Sequence, residues 1–243
     1  WDADDNNETF TIAANYGQKI IAQYFDTTLT AGQGSVVLSS SQPLGAVTQI
    51  LARGQVPTSG AYTGVGNPAQ IYYAPQVFSN LPSASGLQNS QIAIQNTTTA
   101  SMTVTVEFIP FPGITGLSTY TNSSITIEPG ASYLYDLSDE ANLSSTNPTV
   151  TGWTGSAVVS AGAGETISVI VNTFAGPNSL QTYNAFSSTE VGPSWSIPQF
   201  VSKLNNAWNT PVLVQNLSGT DIPIDDLTLS CVAATGFTPA TFD

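Results

Sequence analysis

The sequence predicts an all-β chain made of two antiparallel β-sandwich units in tandem. Three observations predict it. The chain has 243 residues, which suits two domains of roughly 100–150 residues each. Its apolar residues fall in short alternating runs, and no stretch sustains a 3.6-residue period. A series of short stretches also occurs twice, in the same order, about 120 residues apart.

The repeat is read from six pairs. "IAIQN" at 92–96 meets "VLVQN" at 212–216, and "YYAPQVF" at 72–78 meets "WSIPQFV" at 195–201. "GSVVLS" at 34–39 meets "GSAVVS" at 155–160, and "GAYTG" around Tyr62 meets "QTYNA" around Tyr183. "TFTI" at 9–12 meets "SITI" at 124–127, and "VTVEF" at 104–108 meets "LTLSC" at 227–231. The offsets run from 115 to 123, a drift that loop insertions account for.

Taken in order, the runs "QKIIAQYF", "SVVLSS", "LGAVTQIL", "QIAIQN" and "MTVTVEFI" are β-branched and alternating, as strands with one buried face require. Between runs lie "PTSG", "GVGNP", "LPSASG", "PFPG", "EPGAS" and "AGPNS", rich in the residues that turns demand. "SDEANLS" offers one helical turn. About seven short strands in ~120 residues, each with one apolar face, predict an immunoglobulin-like sandwich. Tyr24, Phe108, Phe174 and Trp208 are expected to plug its core. Cys231, the one cysteine, excludes an intrachain disulfide; in phase with Leu227 and Leu229, it is expected to be an inert core thiol.

A repeat fixes a period and leaves its phase open. Cut one way, 1–118 and 119–243 are the two sandwich repeats. Cut the other way, 71–198 is one complete unit flanked by partial units 9–70 and 199–243, each lacking several strands and exposing open edges. Partial units pair within a chain or head to tail between chains, and the second choice generates an open filament.

The stretches "YYAPQVFSN", "QIAIQN", "VTVEF", "ITIEPGASYLYDL", "GWTGSAVVS", "ISVIVNTFAG", "YNAF" and "NNAWNTPVLVQN" resemble tandem immunoglobulin-like repeats of secreted, multi-domain cell-surface proteins of filamentous bacteria. The resemblance covers nearly the whole chain and favours the 71–198 phase. Its motifs are structural punctuation, so it implies fold and an extracellular or cell-surface location, and no chemistry. In the first copy "SGLQNSQ" stands where the pattern has Trp-Asn-Thr.

Composition narrows the function classes. Three Lys+Arg stand against 16 Asp+Glu, for a net charge of −13, and the bases are Lys19, Arg53 and Lys203. Such a chain lacks the electrostatic footprint for nucleic acid. Charged residues are 8% of the total, and 41% are hydrophobic, in clusters, which argues against disorder. No run approaches the ~18 apolar residues of a membrane span, so no membrane insertion is expected. The Trp1-Asp2 start is read as the product of processing, after removal of an N-terminal signal.

The catalytic inventory is thin. There is no histidine, hence no Ser-His-Asp or Cys-His arrangement. Phosphate loops, Gly-x-Ser-x-Gly and Cys/His zinc clusters are missing, so no enzyme activity and no cofactor are expected. Asp136, Asp139, Glu140 and Glu165 are the carboxylates that a glycosidase could draw on, but their spacing is not diagnostic. Asp136, Asp139 and Glu140 are also the better candidates for calcium, ahead of Asp2, Asp4, Asp5 and Glu8 in "WDADDNNE" and of Asp225 and Asp226. Asparagine sequons occur at Asn7, Asn96, Asn122, Asn142 and Asn216. That number is no more than composition supplies; placement carries the weight, because Asn96 and Asn216 close equivalent strands where an exposed turn is expected. Covalent glycans are therefore expected partners if the producing cell glycosylates.

Two functions fit. The first is a non-enzymatic extracellular structural protein, the repeating subunit of a surface filament, sheath or surface layer. It would self-associate as a head-to-tail homopolymer by β-strand complementation, with 199–243 completing the sheet begun by 9–70 of the next subunit. The second is a secreted adhesin or carbohydrate-binding module using Tyr72, Tyr73, Trp153, Trp195 and Trp208.

Overall fold

The computed structural model describes residues 11–14, 17, 32–52, 58–176, 179–199, 211–223, 226–228 and 230. The chain divides into two units, Trp1–Ser196 and Ile197–Asp243. All the strands described lie in the first. They are β1 (Val47–Ala52), β2 (Thr58–Thr63), β3 (Ile71–Ser79), β4 (Leu81–Ser83), β5 (Gly86–Asn96), β6 (Met102–Pro110), β7 (Tyr120–Ile127), β8 (Ser132–Asp136), β9 (Trp153–Ser160), β10 (Ile167–Ala175), β11 (Leu180–Asn184) and β12 (Phe186–Ser187). Among the described residues there is no α-helix; "SDEANLS" supplies a single 3-10 turn at Leu137–Asp139. The fold is all-β, as the alternating runs predict.

Two five-stranded antiparallel sheets share one core. In the first, β11, β10 and β5 lie side by side, and the far edge of β5 pairs with β4 over Gly86–Gln88 and with β8 over 91–95. In the second, the order is β12-β3-β9-β6-β7. Ile92, Ile94, Val169 and Val171 of the first sheet join Tyr72, Val104, Phe108 and Val159 of the second in one buried cluster. The two-residue period is visible in β6, where Met102, Val104, Val106 and Phe108 are buried and the residues between them are not.

Two of the repeated motifs have clear local causes. The glycine of "GS" within β9 is needed because a Cβ on Gly155 would sit 2.1 Å from the carbonyl oxygen of Ile109 and 2.6 Å from the Trp153 ring. Only glycine lets β9 and β6 approach over that indole. The Pro-Gln in β3 makes a bulge, where the β3–β9 register shifts between Ala74 and Val77. Pro75 has no N–H to give the ladder, and the Tyr183 hydroxyl on β11 donates to the freed Gln76 carbonyl at 2.5 Å.

Of the expected core aromatics, Phe108 is fully buried and packs edge-on to Tyr135 and Trp153. Phe174 corrects the expectation: it is exposed, because it falls in the outward phase of β10 between inward Thr173 and Ala175. Tyr24, Trp208, Cys231 and the run "QKIIAQYF" lie outside the described residues.

The strands of the sandwich run from Ile71 to Ser187. Residues 118 and 119 lie between β6 and β7, which pair directly. Before the sandwich, β1 and β2 form a separate antiparallel hairpin. The run "SVVLSS", predicted as a strand, forms no ladder in this structure. A strand is defined by partners, and propensity alone does not supply them.

Within the second unit, residues 211–217 form no strand, and a turn closes on Asn216.

Candidate functional site

The carboxylates singled out in the sequence close turns. Asp136 accepts from Ser138 N at 2.9 Å and Ser138 Oγ at 2.7 Å, capping the 3-10 turn. Glu140 accepts from the Tyr135 hydroxyl and from Asn142 N and Nδ2. Burial alone would raise its carboxyl, but these donors more than offset it and hold the group below the usual range. Glu165 accepts from Gly162 N at 2.8 Å. Among the described residues no three acids or thiols gather as a metal site would require. Asp2, Asp4, Asp5, Glu8 and Asp225 lie outside the described residues.

A depression of about 120 Å³ is lined by Thr63, Tyr72, Asn184 and Glu190. Ligand pockets run to roughly 300–1,000 Å³, so this one suits a few waters. Burial, with the Glu190 charge adding to it, pushes the Tyr72 hydroxyl up to about 12. Of the aromatics named for sugar binding, Tyr72 and Trp153 are buried, Tyr73 is half-buried and Trp195 is exposed. Trp208 is not among the described residues.

The sequons have a structural use. Asn96 Oδ1 accepts from Thr98 N and Oγ1, both at 2.8 Å, while its Nδ2 donates to Ala100 O and Ile127 O. Asn216 repeats this: Oδ1 accepts from Ser218 N and Oγ, and Nδ2 donates to Thr220 O at 2.8 Å. Asn122 with Ser124, Asp136 with Ser138 and Asn147 with Thr149 make the same turn. The Asx-x-Ser/Thr spacing recurs because one carboxamide or carboxylate oxygen can take both the backbone N–H and the hydroxyl two residues on. Asn96 is fully buried, not exposed as its strand-end position suggested, and both its Nδ2 protons are used. Asn142 and Asn216 are exposed, Asn122 is half-buried, and Asn7 lies outside the described residues.

The feature that stands apart is a set of repeat segments without ladders. In the sandwich, "GSAVVS" lies in the central strand β9 and "IAIQN" ends β5, with Ala157, Val159, Ile92 and Ile94 fully buried. Their counterparts are "GSVVLS" and "VLVQN". There Val37 is 70% and Val214 63% exposed, and Val36, Leu38, Val212 and Leu213 are exposed too. Val36, Leu38, Val212 and Val214 thus face solvent where the residues they match, Ala157, Val159, Ile92 and Ile94, are buried, while Val37 and Leu213 match half-buried Val158 and Ala93.

By the match of Tyr62 with Tyr183, the β1–β2 hairpin aligns with β10–β11. Tyr183 pairs with Val171, and Tyr62 pairs with Thr48. Aligning the tyrosines sets Val47, Gln49 and Leu51 against Ile170, Asn172 and Phe174 of β10, of which Phe174 is exposed, Ile170 half-buried and Asn172 buried. The two hairpins also meet: Asn184 accepts from Thr63 N at 3.1 Å and donates back to Thr63 O at 2.8 Å. A Cβ on Gly60 would lie 2.2 Å from Thr182 Oγ1, so glycine is required there for the approach. Among the described residues, β1 and β2 form a sheet of two strands with no third.

No family model matches the chain, and no curated protein matches it. Among solved structures, the chain is similar to a protein described as Thermotoga maritima 1070, at 14% identity and a TM-score of 0.38, over 51% of this chain and 99% of that one.

Proposed function

We propose that this chain is a non-enzymatic, extracellular structural protein, the repeating subunit of a surface filament, sheath or layer. Subunits join head to tail by β-strand complementation. The observation that carries this is the exposure of Val36, Leu38, Val212 and Val214 beside their buried counterparts Ala157, Val159, Ile92 and Ile94 in β9 and β5. Burying one Val or Leu side chain stabilises by roughly 1.5–3 kcal/mol, and strands without ladders also hold unpaired backbone groups. Both needs are met when 199–243 of one subunit joins 9–70 of the next. The turn closures found for Asp136, Glu140 and Glu165 support the absence of catalysis from the proposal. Glycan, where the producing cell adds it, belongs on Asn142, Asn216 or Asn122.

Electron microscopy of the full chain tests the proposal. Regular filaments or sheets support it, and loss of them on deleting 199–243 ties them to complementation. A full chain that stays monomeric at high concentration overturns it.

One observation favours a second function, a secreted adhesin or carbohydrate-binding module. Trp195 is 57% exposed, with its ring 4.9 Å from that of Phe186. Exposed aromatic faces stack on sugars. Glycan-array binding that Trp195→Ala abolishes would favour this function over the first.

A further inference from the structure

The sandwich supplies a template for the joint. In it, β5 lies antiparallel to β10, with Ile92 opposite Val171, Ile94 opposite Val169 and Asn96 opposite Ile167. The counterpart of β10 is β1, and the counterpart of the end of β5 is 212–216. We propose that residues 212–216 of a second copy add as an antiparallel strand to the free edge of β1, with Val212 opposite Thr48, Val214 opposite Ala46 and Asn216 opposite Leu44. This deepens the filament proposal and rests on it.

The faces agree with that register. Residues Leu44, Ala46, Thr48 and Ile50 fall in the phase of Ile167, Val169, Val171 and Thr173, all of which are buried in the sandwich. Val212 and Val214 fall in the phase of buried Ile92 and Ile94. A slip by one residue would turn every one of these to the wrong face.

Charge agrees as well. Residues 9–70 carry Lys19 and Arg53 against Asp26, and 199–243 carry Lys203 against Asp221, Asp225, Asp226 and Asp243. The first segment is net positive and the second net negative. Residues 71–198 hold seven acids and no base, so two copies meeting through their sandwiches would repel. The opposite signs hold for the paired segments themselves; Asp2, Asp4, Asp5 and Glu8 precede the acceptor segment.

The template also assigns Tyr62. Tyr183 reaches from β11 to the carbonyl of Gln76 in the Pro-Gln bulge. The counterparts are Tyr62 on β2 and Gln199, which follows Pro198. In the joint, the Tyr62 hydroxyl donates to the Gln199 carbonyl of the second copy.

Cysteine pairing tests the register in full-length chains carrying Cys231→Ser. Leu213 falls opposite Val47, as Ala93 falls opposite Ile170. Chains with Val47→Cys mixed with chains with Leu213→Cys should oxidise to a covalent dimer, and the double variant to a ladder of multimers. Gln215→Cys stands two residues off Val47, where the diagonal separation of about 7–8 Å exceeds disulfide reach, and should yield about a tenth of the dimer or less. Tyr62→Phe should raise the concentration needed for assembly by about fivefold or more, the effect of one unpaired buried carbonyl, with subunit unfolding unchanged. An internally bridged monomer from the double variant overturns the second copy as partner. Filaments without the Val47–Leu213 bridge overturn the register and leave the filament standing. A monomer throughout overturns both. Assembly unaltered by Tyr62→Phe overturns the role of that hydroxyl.

Discussion

The hydroxyl of Tyr183 spans the sandwich, donating from β11 in one sheet to the Gln76 carbonyl of β3 in the other at 2.5 Å. One phenol thus closes the bulge that Pro75 opens. Replacing it with phenylalanine keeps the ring and strands the carbonyl. Tyr183→Phe should destabilise the fold by about 1–3 kcal/mol. Urea unfolding checks this, with a lower midpoint and an unaltered slope expected.

The same hydroxyl links stability to alkaline pH. Burial raises Tyr183 above the usual phenol range, and burial followed by Glu190 raises Tyr72 to about 12. Both groups stay protonated in the folded chain after the unfolded chain has begun to lose those protons near pH 10. Their contribution is complete below pH 10 and falls as pH rises toward the folded values. Denaturant midpoints measured from pH 8 to 11 should be flat and then decline, and Tyr72→Phe should blunt the decline.

Glu140 links stability to acid. Its carboxyl is held low against the opposing effect of burial, by donors from Tyr135 and Asn142. The unfolded chain therefore takes up this proton first, and stability present above the ordinary carboxylate range is lost as pH falls through the folded value. Glu140→Gln should flatten the stability curve between pH 5 and 3, as read by urea unfolding at each pH. The group is half-buried and keeps contact with solvent, so the effect should be modest.

Asn96 and Asn216 make the same turn in different settings. Asn96 is buried and its amide also holds Ile127 O at 3.0 Å. Asn96→Ala should cost about 1–3 kcal/mol in chemical unfolding, and Asn216→Ala no more than about 0.5 kcal/mol in the subunit. Glycopeptide mapping of protein from a glycosylating source should find no sugar on Asn96.

Gly155 is a steric requirement. A Cβ there would meet the Ile109 carbonyl at 2.1 Å. Gly155→Val should destabilise by about 3 kcal/mol or more, the upper range for overpacking, and yield insoluble protein. Gly34→Val, at the counterpart position, should leave subunit unfolding unchanged and impair assembly.

The all-β class was legible because alternation reports burial directly: β6 alternates in sequence as it does in exposure. The phase of the repeat was less legible, since a period reads the same from any starting point. Phe174 was misplaced because its isolation was weighed and its phase was not. The Tyr183–Gln76 bond lay behind two landmarks, a Pro-Gln and a tyrosine, that the sequence placed 107 residues apart and could not join. The sequons showed their spacing plainly, yet the spacing serves two chemistries, and only the hydrogen bonds of Asn96 identify the one in use.

The turns of this sandwich are closed by amides, hydroxyls and lone carboxylates, and residues 71–198 contain no lysine, arginine or histidine. No cation within that interval stabilises the fold, so dissolved salt has no attraction there to weaken. It can only quiet the mutual repulsion of seven acids. Passing from fresh water to brine should therefore leave the sandwich as firm or firmer.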